Sequence, residues 1–374
     1  MSHDLGIPDA KQETNPAMLP ILAAYTQVFL ILQPSTVPGF AYSWIQLISR
    51  RTFMPHLLLI KGQKGWPYLH RLLSAQLLFL QPFLKSGHLN DATCKKLYNG
   101  TLRVLLVLLH DFPEFLSDYH LSFCDLIPSS CVQLRNLVLS AFPRSMRLPD
   151  PFSRDLQVDV LTDSSQAPHI LTDFAAPLAS IQSHLDNYMN LKQPAELPNK
   201  LPAILSANGV YNQALVTSLV LYVGTVGIQQ VQSGKHTQMS TPAMDIYKQM
   251  TTTLDPEGRY ILFNAMANQL RYPNSHTNFF SFVMLNLFLG ADKEYVQEQI
   301  ARVLLERLIV HRPHPWGLLI TFIELIKNPK YGFWRKSFTK SAPEMERVFD
   351  SIARSCLGPN YASVQQAQLA EATG

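Results

Sequence analysis

The sequence predicts an all-α protein built as a HEAT-like or armadillo-like stack of antiparallel helix pairs, an α-solenoid. Apolar residues recur at helical spacing along almost the whole chain, and prolines and short polar turns separate the periodic segments. A hydrophobic content of 47% over 374 residues is enough for a large core and excludes a disordered chain. No segment has the alternation of a strand, and no fixed-period consensus repeat is present.

The clearest helix covers residues 294–310, where apolar side chains form one stripe and charged side chains lie opposite it. Residues 100–110 are apolar nearly all round, except for Arg103, which predicts a helix sandwiched between others. Further helices are predicted at residues 16–32, 40–51, 67–84, 112–127, 131–142, 177–191, 211–231, 244–254, 256–270, 277–289, 315–326 and 343–356.

A proline-rich interruption divides the predicted helices into two blocks. It covers residues 143–169, which we expect to form an extended connector. The N-terminal helical block then comprises residues 16–142 and the C-terminal HEAT-like block residues 170–358. Residues 1–15 are expected to be a disordered lead, and residues 359–374, rich in Gln and Ala, a disordered tail.

Charged residues are few and unevenly distributed. They make up 16% of the chain, against roughly 25% in ordinary soluble domains, so much of the surface is expected to be uncharged and partly covered by a partner. No Asp or Glu lies between Glu13 and Asp91, although this stretch carries six Lys and Arg residues. A second acid-free run, residues 327–340, interleaves basic and aromatic residues. Both runs predict faces for an acidic partner.

The second run is also the best signal for RNA. Its bases could neutralise phosphates while Tyr331 or Trp334 stacks on a nucleobase. The competing interpretation is ordinary burial of the aromatics with the bases on the outer surface, and it is the more common arrangement. The bases that would contact RNA or another acidic partner are Lys327, Lys330, Arg335, Lys336 and Lys340.

Nothing in the sequence predicts export or insertion into a membrane. The four cysteines are scattered and lack zinc-like spacing, which indicates a reduced intracellular protein. Residues 214–228 are apolar without interruption, but a helix of this length rises only about 22 Å against roughly 30 Å of hydrocarbon. We therefore predict a buried helix there. The acidic start of the chain argues against a signal peptide, so a cytoplasmic location is expected.

The densest group of ionisable residues, at residues 110–120, lacks the spacing of a metal site. Glu114 and Asp118 share one face of a predicted helix, but His110 belongs to the end of the preceding one. Helix capping and favourable charges in a first helical turn are the more common use of such residues. A hydrolytic metal site that includes His120 is the alternative.

The connector at residues 311–315 contains two histidines with prolines beside the second. Prolines prevent His311 and His314 from adopting the helical geometry that binds zinc, which favours a rigid connector whose His and Arg cap the preceding helix. The alternative is a partner-binding ridge that includes Trp316.

The remaining motifs give no sign of catalysis. Gly224 and Gly227 resemble a GxxG loop, but they lie in an apolar helix without a basic flank, which predicts close helix packing. GxxxxGK[ST], GxSxG, HExxH and GxGxxG patterns are missing from the sequence. The sequence therefore predicts a protein that is not an enzyme, with no catalytic residues, cofactor, metal or small-molecule substrate.

Long strings of the chain resemble the C-terminal domain of the large scaffold subunit (Not family) of the Ccr/Not deadenylase complex. One is GTLRVLLVLLHDFPEFLSDYH at residues 100–120, and others lie at residues 133–152, 254–277 and 297–329. The resemblance covers the chain apart from its first dozen residues and its tail. It departs from the family mainly at residues 193–212 and 234–242.

The resemblance implies a HEAT-like scaffold domain without catalytic activity. Such a domain binds the second and third Not subunits and, in animal relatives, short linear peptides of translational repressors. The complex supports mRNA deadenylation, mRNA decay, gene silencing, translational repression and transcription regulation in the cytoplasm and also the nucleus. Its nuclease subunits attach to other regions of the scaffold.

Partner contacts are expected in grooves between helices, where an extended peptide buries apolar side chains at roughly 25 cal/mol per Å². We selected polar or aromatic residues near predicted helix ends as candidates. They are Arg271, Tyr272, Asn274, His276, Arg312, His314, Trp316, Tyr331 and Trp334. An RNA-binding helical surface on the basic aromatic patches is the alternative function.

Overall fold

The computed structural model describes residues 17–85, 91–153, 165–340 and 343–357 of the chain. Within these residues the protein is all-α, as predicted, and the one sheet is a two-residue-long hairpin of β1 (Ser206–Ala207) and β2 (Val210–Tyr211). The predicted disordered lead and tail, residues 1–15 and 359–374, lie outside the described residues.

Seventeen α-helices occupy the described residues. They are α1 (Met18–Ile31), α2 (Ala41–Ile48), α3 (Met54–Leu59), α4 (Trp66–Lys85), α5 (Ala92–Asp111), α6 (Pro113–Asp118), α7 (His120–Leu126), α8 (Val132–Leu139), α9 (Gln182–Leu191), α10 (Leu197–Leu205), α11 (Gln213–Gln232), α12 (Pro242–Thr253), α13 (Pro256–Ala267), α14 (Ser275–Leu289), α15 (Glu294–Leu308), α16 (Trp316–Lys327) and α17 (Pro343–Leu357).

Two compact units form from these helices. Unit 1 comprises the chain up to Phe115 together with Leu126–Pro128, and unit 2 comprises Leu116–Asp125 and the chain from Ser129 onward. The sequence predicted a boundary at residues 143–169 instead. In unit 2 the Trp316 indole nitrogen donates a hydrogen bond to the Pro149 carbonyl at 2.8 Å, so part of this connector is bound to unit 2. Folding as separate blocks 16–142 and 170–358 stays a prediction.

Unit 1 is held together by buried leucines and a few buried polar contacts. α1 packs on α4, and the Trp44 indole of α2 donates to the Phe29 carbonyl of α1 at 2.8 Å. Between α4 and α5, the Gln76 amide donates to the Thr101 hydroxyl at 2.9 Å. Because both polar groups are buried, this bond fixes how the two long helices meet.

In unit 2 alternate helices contact one another. α11 packs on α13 and α13 on α15, while α10 packs on α12 and α14 on α16. This pattern is typical of stacked helix pairs, in which every helix contacts its equivalent in the next pair. The buried apolar side chains of these helices form one contiguous cluster, whose members range from Leu178 to Ala353 in the sequence.

Two glycines let neighbouring helices approach α11 closely. A Cβ added to Gly224 would lie 2.3 Å from Phe280 Cζ on α14, and one added to Gly227 would lie 2.9 Å from Ala243 Cβ on α12. These distances confirm that the two glycines serve helix packing. Among the described helices α11 alone is long and apolar enough to cross a membrane, and 61% of its apolar window is buried in the protein.

The helix predictions missed α3 and α10. Both contain prolines: Pro55 lies in the first turn of α3, and Pro198 in that of α10, which also contains Pro202. A proline in a first turn costs no hydrogen bond, because that backbone nitrogen has no partner within the helix. The single helix predicted at residues 112–127 is interrupted and forms α6 and α7.

Candidate partner-binding groove

A groove of about 740 Å³ opens on unit 2, between the end of α15, the connector that follows it, α16 and α17. Its lining is mainly apolar and includes two arginines, with no Asp or Glu among its described lining residues. The apolar lining consists of Phe152, Leu308, Ile309, Pro313, Leu319, Val348 and Ile352, and the polar lining of Arg312, His314, Arg347 and Ser351.

One wall of the groove is a face of α17. Val348 and Ile352 are four residues apart, as are Arg347 and Ser351, so the four side chains form two adjacent rows along the helix. Both apolar residues are half-buried against the core of unit 2. The wall therefore combines an apolar row with an exposed arginine at its edge.

Aromatic packing holds α17 in position. The ring of Phe349 meets that of Phe333 edge to face, with centroids 5.5 Å apart, and Phe338 lies 5.9 Å from the same ring. The Trp334 indole beside them donates to the Ile326 carbonyl of α16 at 3.1 Å. Edge-to-face aromatic pairs contribute about 0.5–1.5 kcal/mol beyond the area that they bury. This cluster ties α17 to α16.

Phe152 reaches the groove from the proline-rich segment. The Trp316–Pro149 hydrogen bond anchors that segment, and the Asp150 carboxylate accepts the Phe152 backbone N–H at 3.0 Å. The ring of Phe152 is 43% exposed and that of Trp316 is buried. Trp316 thus positions an aromatic lining residue without lining the groove itself.

The connector after α15 forms the floor. The His314 ring Nε2 donates to the Val310 carbonyl at 2.8 Å, which closes a turn just past the helix end. This agrees with a rigid connector capped by histidine. The same turn leaves Ile309 58% exposed at the groove edge, next to Arg312.

A buried arginine supports the end of α15. The Arg307 guanidinium donates to the side-chain oxygens of Asn264 at 2.9 Å and Asn268 at 2.8 Å, both belonging to the α13 region. Asn136 of α8 donates to the Arg307 carbonyl at 2.6 Å. Burial, and then the nearby charge of Arg135, lower the pKa of Arg307 to about 9, so it stays a cation at neutral pH.

The chain matches the family model described as "CCR4-Not complex component, Not1" over residues 6–353. It belongs to the Not1 family. The resemblance carried by the four sequence strings is thereby confirmed.

Relatives within the Not1 family align with nearly all of this chain. It is 44% identical over 379 residues to the CCR4-NOT transcription complex subunit let-711 of Caenorhabditis elegans, with 96% of this chain and 14% of that protein covered. It is 38% identical to the general negative regulator of transcription subunit 1 of Schizosaccharomyces pombe, with 95% and 17% covered. The chain therefore spans between about a seventh and a sixth of the length of these relatives.

Two solved Not1 structures share the fold. The NOT1 superfamily homology domain from Chaetomium thermophilum has a TM-score of 0.83 and 31% identity, covering 90% of this chain and 70% of that one. A Not1 C-terminal domain in complex with Not4 has a TM-score of 0.77 and 27% identity, covering 88% and 68%.

Four of the predicted partner contacts are buried in this Not1 chain. Arg271, Tyr272 and Asn274 lie in the turn before α14 and His276 in the first turn of that helix, and each is at most 6% exposed. The expectation that polar residues at helix ends are accessible is wrong for these side chains. They stabilise the turn: Asn274 caps α14 by accepting the Thr277 N–H at 3.0 Å.

Arg271 extends the network of this turn to another part of unit 2. Its guanidinium donates to the Ser117 carbonyl at 2.9 Å. Burial, and then the charge of Arg271, lower the pKa of His276 to about 3, and the same two causes lower that of His120 well below its usual value. Both imidazoles are therefore neutral at physiological pH.

Some of the other predicted contact residues are buried in the core, and the rest lie in the groove or on the surface. Trp316, Tyr331 and Trp334 are also buried, so they cannot offer their rings to a partner, while Arg312 and His314 line the groove. The bases of the acid-free run lie on the surface: Lys327, Lys330, Arg335 and Lys340 are exposed and Lys336 is half-buried. The run therefore has the ordinary arrangement, with aromatics in the core and bases outside.

The ionisable residues at 110–120 do not converge on a metal. His110 is exposed and pairs with Asp111 at 2.6 Å, whereas His120 is fully buried and its Nδ1 donates to the Ser117 carbonyl at 2.9 Å. Within the ranges that the structure describes, no three His, Cys, Asp or Glu side chains are grouped to hold a metal ion.

Most residues that line the groove were not predicted. Ile309, Leu319, Val348 and Ile352 are aliphatic, and the selection of candidates favoured polar and aromatic groups. One sequence feature could have indicated this wall of the groove: Val348 and Ile352 lie four residues apart on an amphipathic helix, with Arg347 beside them. Phe152 belongs to one of the strings that carry the family resemblance. Its position beside α16 depends on the hydrogen bond between Trp316 and Pro149, two residues that are 167 positions apart in the sequence.

Proposed function

We propose that this chain is a non-catalytic docking scaffold of the Ccr/Not complex and that the groove beside α17 receives a segment of a partner protein. The observation that carries the proposal is the groove itself, which combines an apolar lining with two arginines and no described acid. Its volume of about 740 Å³ lies within the roughly 300–1,000 Å³ of ligand pockets.

The lining indicates the chemistry of the bound segment. Each apolar side chain that a partner buries there contributes about 1.5–3 kcal/mol, and a carboxylate beside Arg312 or Arg347 would add a charge-assisted hydrogen bond. The partners that we propose are the second and third Not subunits and short regulatory peptides of translational repressors. A related Not1 C-terminal domain forms a complex with Not4, which supports docking of other Not proteins on this fold.

Through such docking the chain would support mRNA deadenylation and translational repression in the cytoplasm and nucleus. Direct contact with RNA is the weaker alternative. The rings of Tyr331 and Trp334 are buried, so only the electrostatic part of an RNA site is available at residues 327–340.

The test is a titration of the purified chain with fragments of the second and third Not subunits from the same species, followed by calorimetry. Ile352→Asp and Arg347→Glu should each weaken binding about tenfold or more, because they place a carboxylate in the groove. Val210→Asp is the matched control, since Val210 is an exposed apolar residue, at 69%, outside the groove. Absence of a complex at micromolar concentration contradicts the proposal.

A further inference from the structure

A stripe of exposed apolar side chains runs along α1 and its C-cap residue, Leu32, in unit 1. Ile21, Tyr25, Val28 and Leu32 are 51%, 56%, 49% and 37% exposed. Their spacing of four, three and four residues places them in one line on the helix surface. Ile31, at 69%, extends the patch to one side. We call the four residues the α1 stripe.

The remaining faces of α1 show how this helix is attached to unit 1. Leu22 and Thr26, on another face of the helix, are buried, and the helix packs on α4. The segment MLPILAAYTQVFLI contains no charged residue, so neither face has the polar character of an ordinary solvent-facing helix surface. Contiguous apolar patches of this kind are typical of interaction sites.

A row of aromatic rings connects the stripe to a pair of arginines. The ring of Tyr25 stacks on Phe29 at 6.5 Å, and Phe29 meets Phe53 edge to face at 5.2 Å. The Phe53 N–H donates to the Arg50 carbonyl at 2.9 Å, so Arg50 and Arg51 belong to a turn whose Phe53 ring packs on Phe29 of α1. Both arginines are exposed.

Unit 1, to which the stripe belongs, carries a positive net charge over its described residues. Described residues of unit 1 include nine Lys and Arg but only three Asp and Glu. The three acids are at positions 91, 111 and 114, so residues 17–85 contain none. An acidic partner is therefore attracted to this surface, and a basic one is repelled.

We propose that the α1 stripe docks an amphipathic helix of a partner protein, with an aliphatic seam and acidic residues beside it. The stripe has the spacing of a helix-pairing seam, and the exposed Arg50 and Arg51 of the same unit can pair with carboxylates of the partner. Single-stranded RNA fits less well, because three of the four stripe residues are aliphatic and nucleobases stack on aromatic rings. This surface is separate from the groove beside α17 and does not depend on its function.

Two synthetic helical peptides test the proposal. Both are as long as α1 and carry leucine at the stripe spacing, one flanked by glutamate and the other by lysine, and binding to the full chain is measured by fluorescence anisotropy. The glutamate peptide should bind about tenfold or more tightly than the lysine peptide. Val28→Ser and the double variant Arg50→Gln/Arg51→Gln should each weaken it about fivefold or more. Val210→Ser is the control, and circular dichroism checks that each variant is folded.

Several results would overturn the proposal. Equal affinity for the two peptides removes its electrostatic basis, and no binding of either removes the docking site. Displacement of the glutamate peptide by a poly(U) oligonucleotide would assign the surface to RNA. If sedimentation shows dimers of the chain that Val28→Ser dissociates, the stripe pairs with a second copy instead.

Discussion

Close packing of α11 against α14 makes Gly224→Ala the most informative stability test. The new Cβ would lie 2.3 Å from Phe280 Cζ and 3.1 Å from the Tyr247 hydroxyl oxygen. Carbon atoms normally approach to about 3.5–4.0 Å, so the Phe280 ring must move by more than 1 Å. That ring is fully buried and has Phe279 packed edge to face on it at 5.5 Å, which leaves little room for movement.

The expected magnitude follows from two opposing effects. Overpacking of a core costs about 1–3 kcal/mol, and the lack of free space around Phe280 favours the upper end. Alanine stabilises a helix interior by about 1 kcal/mol relative to glycine. We therefore expect Gly224→Ala to lower the free energy of unfolding by about 2 kcal/mol and Tm by about 4–8 °C.

Gly100→Ala is the matched control, because Gly100 also lies inside a long helix. Its nearest neighbours, two carbons of Ile45, would be 4.0 Å from the added Cβ, so only the helix-propensity gain applies and stability should rise slightly. Urea denaturation followed by circular dichroism measures both variants. A Gly224→Ala protein as stable as the parent would refute the close contact of α11 with α14.

Four further predictions concern buried charge and RNA. The pKa of His276 is lowered to about 3, so below about pH 6.5 the unfolded chain binds more protons than the folded one. The free energy of unfolding should therefore fall on acidification, by up to about 1.4 kcal/mol per pH unit for this group. Unfolding curves between pH 7 and 5 measure this fall. Burial raises the pKa of Asp125 to about 7, so this group makes the folded protein more stable on acidification, opposite to His276. Asp125→Asn should therefore make the free energy of unfolding fall more steeply with decreasing pH. A less steep fall in the variant would contradict the raised pKa of Asp125. Arg307→Met strands the Asn264 and Asn268 oxygens and should cost about 3 kcal/mol in urea denaturation, whereas the exposed Arg302→Met should change stability by less than about 0.5 kcal/mol. If poly(U) binds through the bases at residues 327–340, its affinity should fall steeply with salt, and each Lys→Gln change there should reduce the slope of log K against log salt by about 0.7; an unchanged slope would rule out those contacts.

Sequence periodicity predicted the helices because it reports directly which faces are buried. α11 shows how far this extends: its composition alone also suits a membrane span, but its short uninterrupted apolar run and its internal glycines indicated packing inside a core, and the structure confirms that. α3 and α10 were missed because neither sustains a helical period: α3 has only six residues, and α10 has nine with Pro202 inside it.

The groove was harder to predict because it depends on contacts between distant parts of the chain. Whether a polar residue at a helix end is accessible is decided by what packs over it. Arg271 and His276 are covered within unit 2, whereas Arg312 is not, and nothing in the local sequence distinguishes them. At residues 327–340 the aromatic side chains are inside and the basic ones outside. This arrangement could be predicted because it follows from ordinary burial preferences.

Hydrogen–deuterium exchange of the chain, with and without fragments of the second and third Not subunits, tests the docking account most directly. We expect the fragments to slow exchange at residues 309–314 and 346–352, which form the floor and the α17 wall of the groove. Binding that leaves both segments unprotected would contradict it.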